Sequence, residues 1–265
     1  MEIDRAYALE AFRRYIEPYD THNPRIALKV AHTYRVADLC ERIAAGETFP
    51  TRDIDLAWLC GLLHDLGRFE QLRRWDTFSD AKSTSHAQLG VSELFETPED
   101  APGNIRRFVE DAAEDELIRQ AVGLHSDLRL PDGLDARTRS ICTVVRDADK
   151  IDILHVMSES SVETVLGVSE QAFLASGFSS QALQAFGEHR CLARSERHEP
   201  ADYLVGLICF AFELEYETSR REFVERGDIF RVLDDPFGLG RPFARSDAQE
   251  TWRRLRSELR AYLAA

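Results

Sequence analysis

TRDIDLAWLCGLLHDL, residues 51–66, sets Ile54, Leu56, Ala57, Trp58, Leu59, Cys60, Leu62 and Leu63 nearly all the way round a helix. A helix that is apolar on every side belongs in the centre of a bundle. This one runs into His64 and Asp65, an adjacent imidazole and carboxylate. Burying such groups unpaired costs roughly 2–7 kcal/mol each, so either protein groups or a metal must satisfy them. Thr51 reads as the helix cap, and Gly67 as the residue that lets the chain leave the helix after the doublet.

Outward from this segment, nearly every long stretch carries a helical period, and no alternating strand pattern persists between turn signals. A first helix is expected over residues 4–16. A second starts at Asn23-Pro24, where Asn caps and Pro suits the first turn, and reaches Gly46 with His32 near its middle. HAQLGVSELFE opens with His86, EDELIRQAVGLHSD finishes at His125, and a longer helix from Asp135 presents Asp147, Asp149 and Asp152. Beyond residue 158 come short amphipathic pieces broken by Gly167, Gly177 and Gly187, followed by one strong helix over residues 201–227. The expected fold class is all-α.

The chain has 265 residues with 44% apolar content, enough for a sizeable core. Its formal net charge is -14, and its only lysines are Lys29, Lys82 and Lys150. An extended nucleic-acid surface is therefore not expected, while a local Arg-rich phosphate pocket is compatible with this composition. Cys40, Cys60, Cys142, Cys191 and Cys209 are scattered and form no CxxC pair, which argues against a zinc ribbon or a disulfide framework. The charged N-terminal stretch lacks a signal-peptide core, and no run reaches the length of a membrane span. The expectation is a soluble cytoplasmic protein with no membrane partner, and homo-oligomerisation is left open.

His32, His64, Asp65, His86, His125 and Asp149 come from several helices, the way bundles build metal sites from inward-facing side chains. Neighbours on a helix diverge by about 100°, so His64 and Asp65 do not chelate side by side. A carboxylate resolves this, because one oxygen can join His64 on one metal while the other reaches a second metal. Such a set leaves positions open for water and substrate oxygens. Singly, each residue has a plainer reading: a core histidine bonded to a carbonyl, or a carboxylate paired with a cation. Asp147 competes with Asp149 for the ligand role. His22, His155, His189 and His198 are read as structural.

The order H…HD…H…H…D, with the phrases HTYRV, HDLGRFEQLRR, TFSDAKSTSHAQLG and RDADKID, resembles the HD-domain superfamily of metal-dependent phosphohydrolases. The match is strongest over residues 23–154. There is no GYP after His125, which disfavours the cyclic-dinucleotide branch named for that motif. The resemblance implies an HD-domain helical bundle with additional C-terminal helices. An N-terminal helix over residues 1–22 would pack on a metal-binding core over 23–157, and a helical extension over 158–265 would belong to the same domain unit. It implies that His32, His64, Asp65 and Asp149 hold one metal and that Asp65 bridges to a second held by His86 and His125. Fe, Mn, Co, Ni, Zn and Mg all suit such donors. The implied activity is hydrolysis of a phosphomonoester or phosphodiester of a nucleotide or related small molecule, with Asp65 as the catalytic carboxylate. Arg68, Arg73, Arg74 and Lys150 are the phosphate-binding candidates by position. Two alternatives remain open: a diiron oxygenase on the same scaffold, and a nucleotide-binding regulatory module without turnover.

Overall fold

The computed structural model describes residues 3–241 and 243–264. It is all-α, with no strand among the described residues, and it divides into two compact units, residues 1–149 and 150–265.

In the first unit α1 (Arg5–Ile16) starts at Asp4, whose side chain accepts from the Tyr7 N–H. α2 (Pro24–Gly46) is capped by Asn23 through the Arg25 N–H, with Pro24 in its first turn, as the sequence led one to expect. α3 (Thr51–Leu63) differs in detail. Thr51 is its first residue, and Pro50 occupies the cap position without a side-chain bond. α3 stops at Leu63, so His64 and Asp65 form the joint between it and α4 (Leu66–Trp75). α5 (His86–Phe95) is capped by the Ser85 hydroxyl, α6 (Asp115–Leu124) ends at His125, and α7 (Ala136–Ser158) carries Asp149.

Two close helix contacts set the geometry of this unit. A Cβ on Gly61 would lie 2.8 Å from Cys40 Sγ and 2.9 Å from Ala37 Cα, so the absence of a side chain lets α3 press onto α2. Gly67 is the second residue of α4, in its first turn and not at a helix C-terminus, and its backbone is not left-handed. Any Cβ there would collide with the His86 carbonyl oxygen and crowd Gly90 N, so Gly67 is the point where α4 meets α5. The C-cap role expected for Gly67 is therefore replaced by a packing role. Phe12 of α1 meets Tyr34 and Phe69 edge to face, which fastens α1 to α2 and α4. Leu39, Ile43, Leu56, Leu59, Leu62 and Leu63 fill the space between them, and each is fully buried.

The second unit contains α8 (Val162–Leu166), α9 (Glu170–Ala175), α10 (Ser180–Gly187), α11 (Asp202–Ile208), α12 (Glu217–Glu225), α13 (Asp228–Asp234) and α14 (Ser246–Leu263). Gly167 ends α8 at φ +67°, the conformation glycine supplies most cheaply. The single helix expected over residues 201–227 is broken. After Ile208 the chain tightens into a 3-10 segment, Cys209–Glu213, and Leu214 turns extended before α12 begins. The 3-10 turn still buries Cys209 and Ala211, so the apolar period continues across the break and conceals it.

Candidate metal centre

His32 comes from the middle of α2, and the Gly61 contact of α3 on α2 brings His64 Nε2 to 3.3 Å from His32 Nε2. His86 opens α5, which the Gly67 contact holds against α4, and its Nε2 lies 3.0 Å from His125 Nε2. The two imidazole pairs adjoin, with the His64 and His125 rings 5.1 Å apart. All four histidines are at most 4% exposed.

Asp65 lies between the pairs and presents a different oxygen to each. Its Oδ2 is 3.6 Å from His32 Nε2 and 3.7 Å from His64 Nε2. Its Oδ1 is 3.6 Å from His86 Nε2 and 3.7 Å from His125 Nε2. Asp149 Oδ1 lies 3.2 Å from His32 Nε2 and 3.8 Å from His64 Nε2. Two sets of donor atoms, His32/His64/Asp149 and His64/Asp65/His125, each fall within 4.8 Å of one another. Asp147 is buried but joins neither set.

Hydrogen bonds fix which ring nitrogen points inward. His64 Nδ1 lies 2.7 Å from Gly61 O, and His125 Nδ1 lies 2.7 Å from Val122 O. A carbonyl only accepts, so both Nδ1 atoms carry the hydrogen and Nε2 presents a bare lone pair. His86 Nδ1 lies 2.9 Å from both oxygens of Asp80, which fixes the same tautomer. The lone pairs of His86 and His125 therefore face each other at 3.0 Å, an arrangement that repels unless a positive charge sits with them. Separations of 3.0 and 3.3 Å are also what two nitrogen donors adopt when each lies about 2.0–2.1 Å from one ion. The donor set fits a divalent metal.

The electrostatics agree. Burial lowers His64 to about 4, against the opposing pull of Asp65 and Asp149. Burial and the Arg68 charge lower His86 to about 3, although Asp80 pulls upward. Burial pushes the Asp65 carboxyl up, but Lys29, His64, His125 and Arg68 outweigh it and hold the group well below the carboxylate range. Asp149 behaves alike: burial raises it, and the bond to His32 with the charge of His64 brings it down further. Near neutral pH His64 and His86 are therefore neutral and Asp65 and Asp149 ionised, which is the state a metal binds.

The expected phosphate binders part company. Arg68 adjoins the cluster, with Nε 3.5 Å from Asp65 Oδ1. Arg73 and Arg74 bind Glu70 at 2.7 and 2.8 Å, and Arg74 also reaches Glu93. Lys150 pairs with Glu213 at 3.7 Å. Among the histidines read as structural, His22 is fully exposed beside Asp20, His155 faces Asp228, and His189 stacks on Phe212.

Two residues escaped the sequence reading. Lys29 Nζ lies 2.6 Å from Asp65 Oδ2. Its position three residues before His32, on the same face of α2, is the signal that could have found it. Asp80, which orients His86, is held in turn by Gln71 and Arg68 of α4. It lies within the quoted phrase TFSDAKSTSHAQLG, six residues before His86.

Comparison with protein families matches residues 30–157 to the model described as HD domain, a span that contains all six clustered residues. No curated protein and no solved structure matches the chain.

Proposed function

We propose that this chain, whose residues 30–157 match the HD domain, is a divalent-metal-dependent phosphohydrolase acting on a phosphomonoester or phosphodiester of a nucleotide or related small molecule. The observation that carries the reading is the division of Asp65, one oxygen toward His32 and His64 and the other toward His86 and His125. That division suits a carboxylate bridging two ions, with Asp149 completing the His32/His64 side. When bound, such ions supply Lewis acidity toward a phosphoryl oxygen and lower the pKa of water for in-line attack at phosphorus.

The chain's own residues do the rest. The bonds to Gly61 O, Val122 O and Asp80 hold the imidazoles in one tautomer and orientation, so no reorganisation is needed as charge develops. Asp65, kept ionised by Lys29 and Arg68, can accept a hydrogen bond from the attacking water and orient it. Arg68 is the phosphate-binding residue favoured by position. Arg73, Arg74 and Lys150 would first have to leave Glu70 and Glu213. The overall change is cleavage of a P–O ester bond, with the water oxygen ending on phosphorus and a proton on the leaving oxygen.

Metal analysis of protein purified without oxygen tests this. The native chain should hold two ions per molecule and the His86→Ala/His125→Ala double variant about one, because His32, His64, Asp65 and Asp149 remain. One ion in metal-replete native protein would remove the bridging role from Asp65.

A further inference from the structure

Lys29 is a largely buried cation that the ligand arrangement alone does not require. Its side chain is 15% exposed, and its ammonium lies 2.6 Å from the same Asp65 oxygen that faces His32 and His64. Arg68 approaches the other oxygen from α4, and its side chain is 12% exposed. Its NH1 is fixed by Gln71 Oε1 at 2.8 Å, Phe78 O at 2.6 Å and Asp80 Oδ1 at 3.1 Å. Its Nε, 3.5 Å from Asp65 Oδ1, is in contrast a buried donor that completes no hydrogen bond. Buried donors without partners are rare, and each asks for an explanation. The Phe78 ring lies 5.6 Å from the Lys29 ammonium and 5.8 Å from the Arg68 guanidinium, so one aromatic side chain contacts both cations. Both cations are more exposed than any of the four imidazoles, which puts them on the flank of the cluster that solvent reaches.

We propose that Lys29 and Arg68 form a clamp for the terminal phosphoryl group of a phosphomonoester, making Lys29 a substrate-binding residue and the monoester the preferred substrate class. This rests on the phosphohydrolase reading above. The argument is one of charge and atom count. Once Asp65 is engaged by metal, Lys29 at its flank needs another anion, since an unpaired buried charge is costly, while Arg68 keeps Asp80 through NH1 and still has its Nε to offer. A diester offers a single negative charge on two non-bridging oxygens. A monoester offers up to two charges on three such oxygens, enough to meet the metal side and both cations together. Lys29 supplies a point charge there, and the orphan Arg68 Nε supplies a directed donor.

The test uses the full chain loaded with manganese and measures three quantities: metal content, affinity for inorganic phosphate by calorimetry, and kcat/KM for p-nitrophenyl phosphate and bis(p-nitrophenyl) phosphate. In Lys29→Met the metal content should be unchanged, while phosphate affinity and monoester kcat/KM fall about 10- to 100-fold, the range for one charge-assisted hydrogen bond. Diester kcat/KM should fall by a clearly smaller factor than monoester kcat/KM, and Lys29→Arg should recover part of the monoester loss. Lys29→Gln repeats the measurement if the methionine variant does not fold. Equal losses on both esters, unchanged phosphate affinity, or loss of metal with the lysine would overturn the clamp. Wild-type protein that neither binds phosphate nor turns over any ester would overturn the reading beneath it, a result distinct from an unchanged variant of an active enzyme.

Discussion

Asp65 can serve two imidazole pairs because it lies at the joint between α3 and α4, off the regular face of either helix. The doublet, the upstream His32 and the late Asp149 were legible as ligand types, because their spacing put them on separate helices. The division of the Asp65 oxygens between two metals was expected as well; the joint that allows it was not, since the apolar run reads as one helix continuing into the doublet. Lys29 was missed for a related reason: a lysine on an amphipathic helix ordinarily reaches solvent, and only tertiary packing turns this one inward. The buried imidazoles also carry a stability signature. An unfolded histidine titrates near 6.5, whereas burial lowers His64 to about 4 and His86 to about 3. Between these values the unfolded state binds more protons, so stability is fully present above about pH 6.5 and is lost as pH falls toward 4. Asp65, Asp80 and Asp149 are all depressed below the ordinary carboxylate value, so their contribution fades at lower pH than this window. Urea unfolding of metal-free protein should give a lower stability at pH 5 than at pH 7.5, by on the order of 2 kcal/mol from His64 alone. A flat profile across that interval would mean that His64 is not buried in its neutral form.

Helix identity was readable from the apolar period, and Asn23 caps α2 as expected, whereas the cap expected of Thr51 falls on Pro50, which offers no side-chain bond. Glycine was not readable in the same way, because a helical glycine gives no local clue to whether it caps, kinks or permits contact. Gly67 is the case in point. By helix propensity alone, Gly67→Ala should gain roughly 1 kcal/mol. The collision of its Cβ with the His86 carbonyl opposes that gain, and backbone cannot step aside as a flexible side chain can. The clash should win. Gly67→Ala should lower the unfolding free energy, measured in urea, by a net of about 1–3 kcal/mol and weaken metal binding at His86 and His125 before the His32 and His64 side. A variant as stable as the parent, with both ions held, would show that α4 and α5 do not need this approach. The break between α11 and α12 was concealed for the opposite reason: a 3-10 turn keeps enough of the apolar period to pass for helix.

Over the chain as a whole, the pattern that predicted an all-α fold also predicted which residues could meet, and the clustered histidines and carboxylates all lie within the first compact unit, residues 1–149. Among the described residues no helix is long and apolar enough to cross a membrane. Imidazole and carboxylate serve a hydrolase and a diiron oxygenase alike. Oxygen dependence separates them. A hydrolase needs only a Lewis acid and water, whereas an oxygenase needs iron that changes oxidation state and binds O₂. The decisive measurement is phosphate release from a panel of nucleotides and phosphate esters, without oxygen, with manganese or cobalt added to metal-stripped protein. The account predicts release of inorganic phosphate from at least one monoester, dependent on the added metal, carrying solvent oxygen, and lost in Asp149→Ala. O₂ consumption by iron-loaded protein, with no phosphate released across the panel, would contradict it.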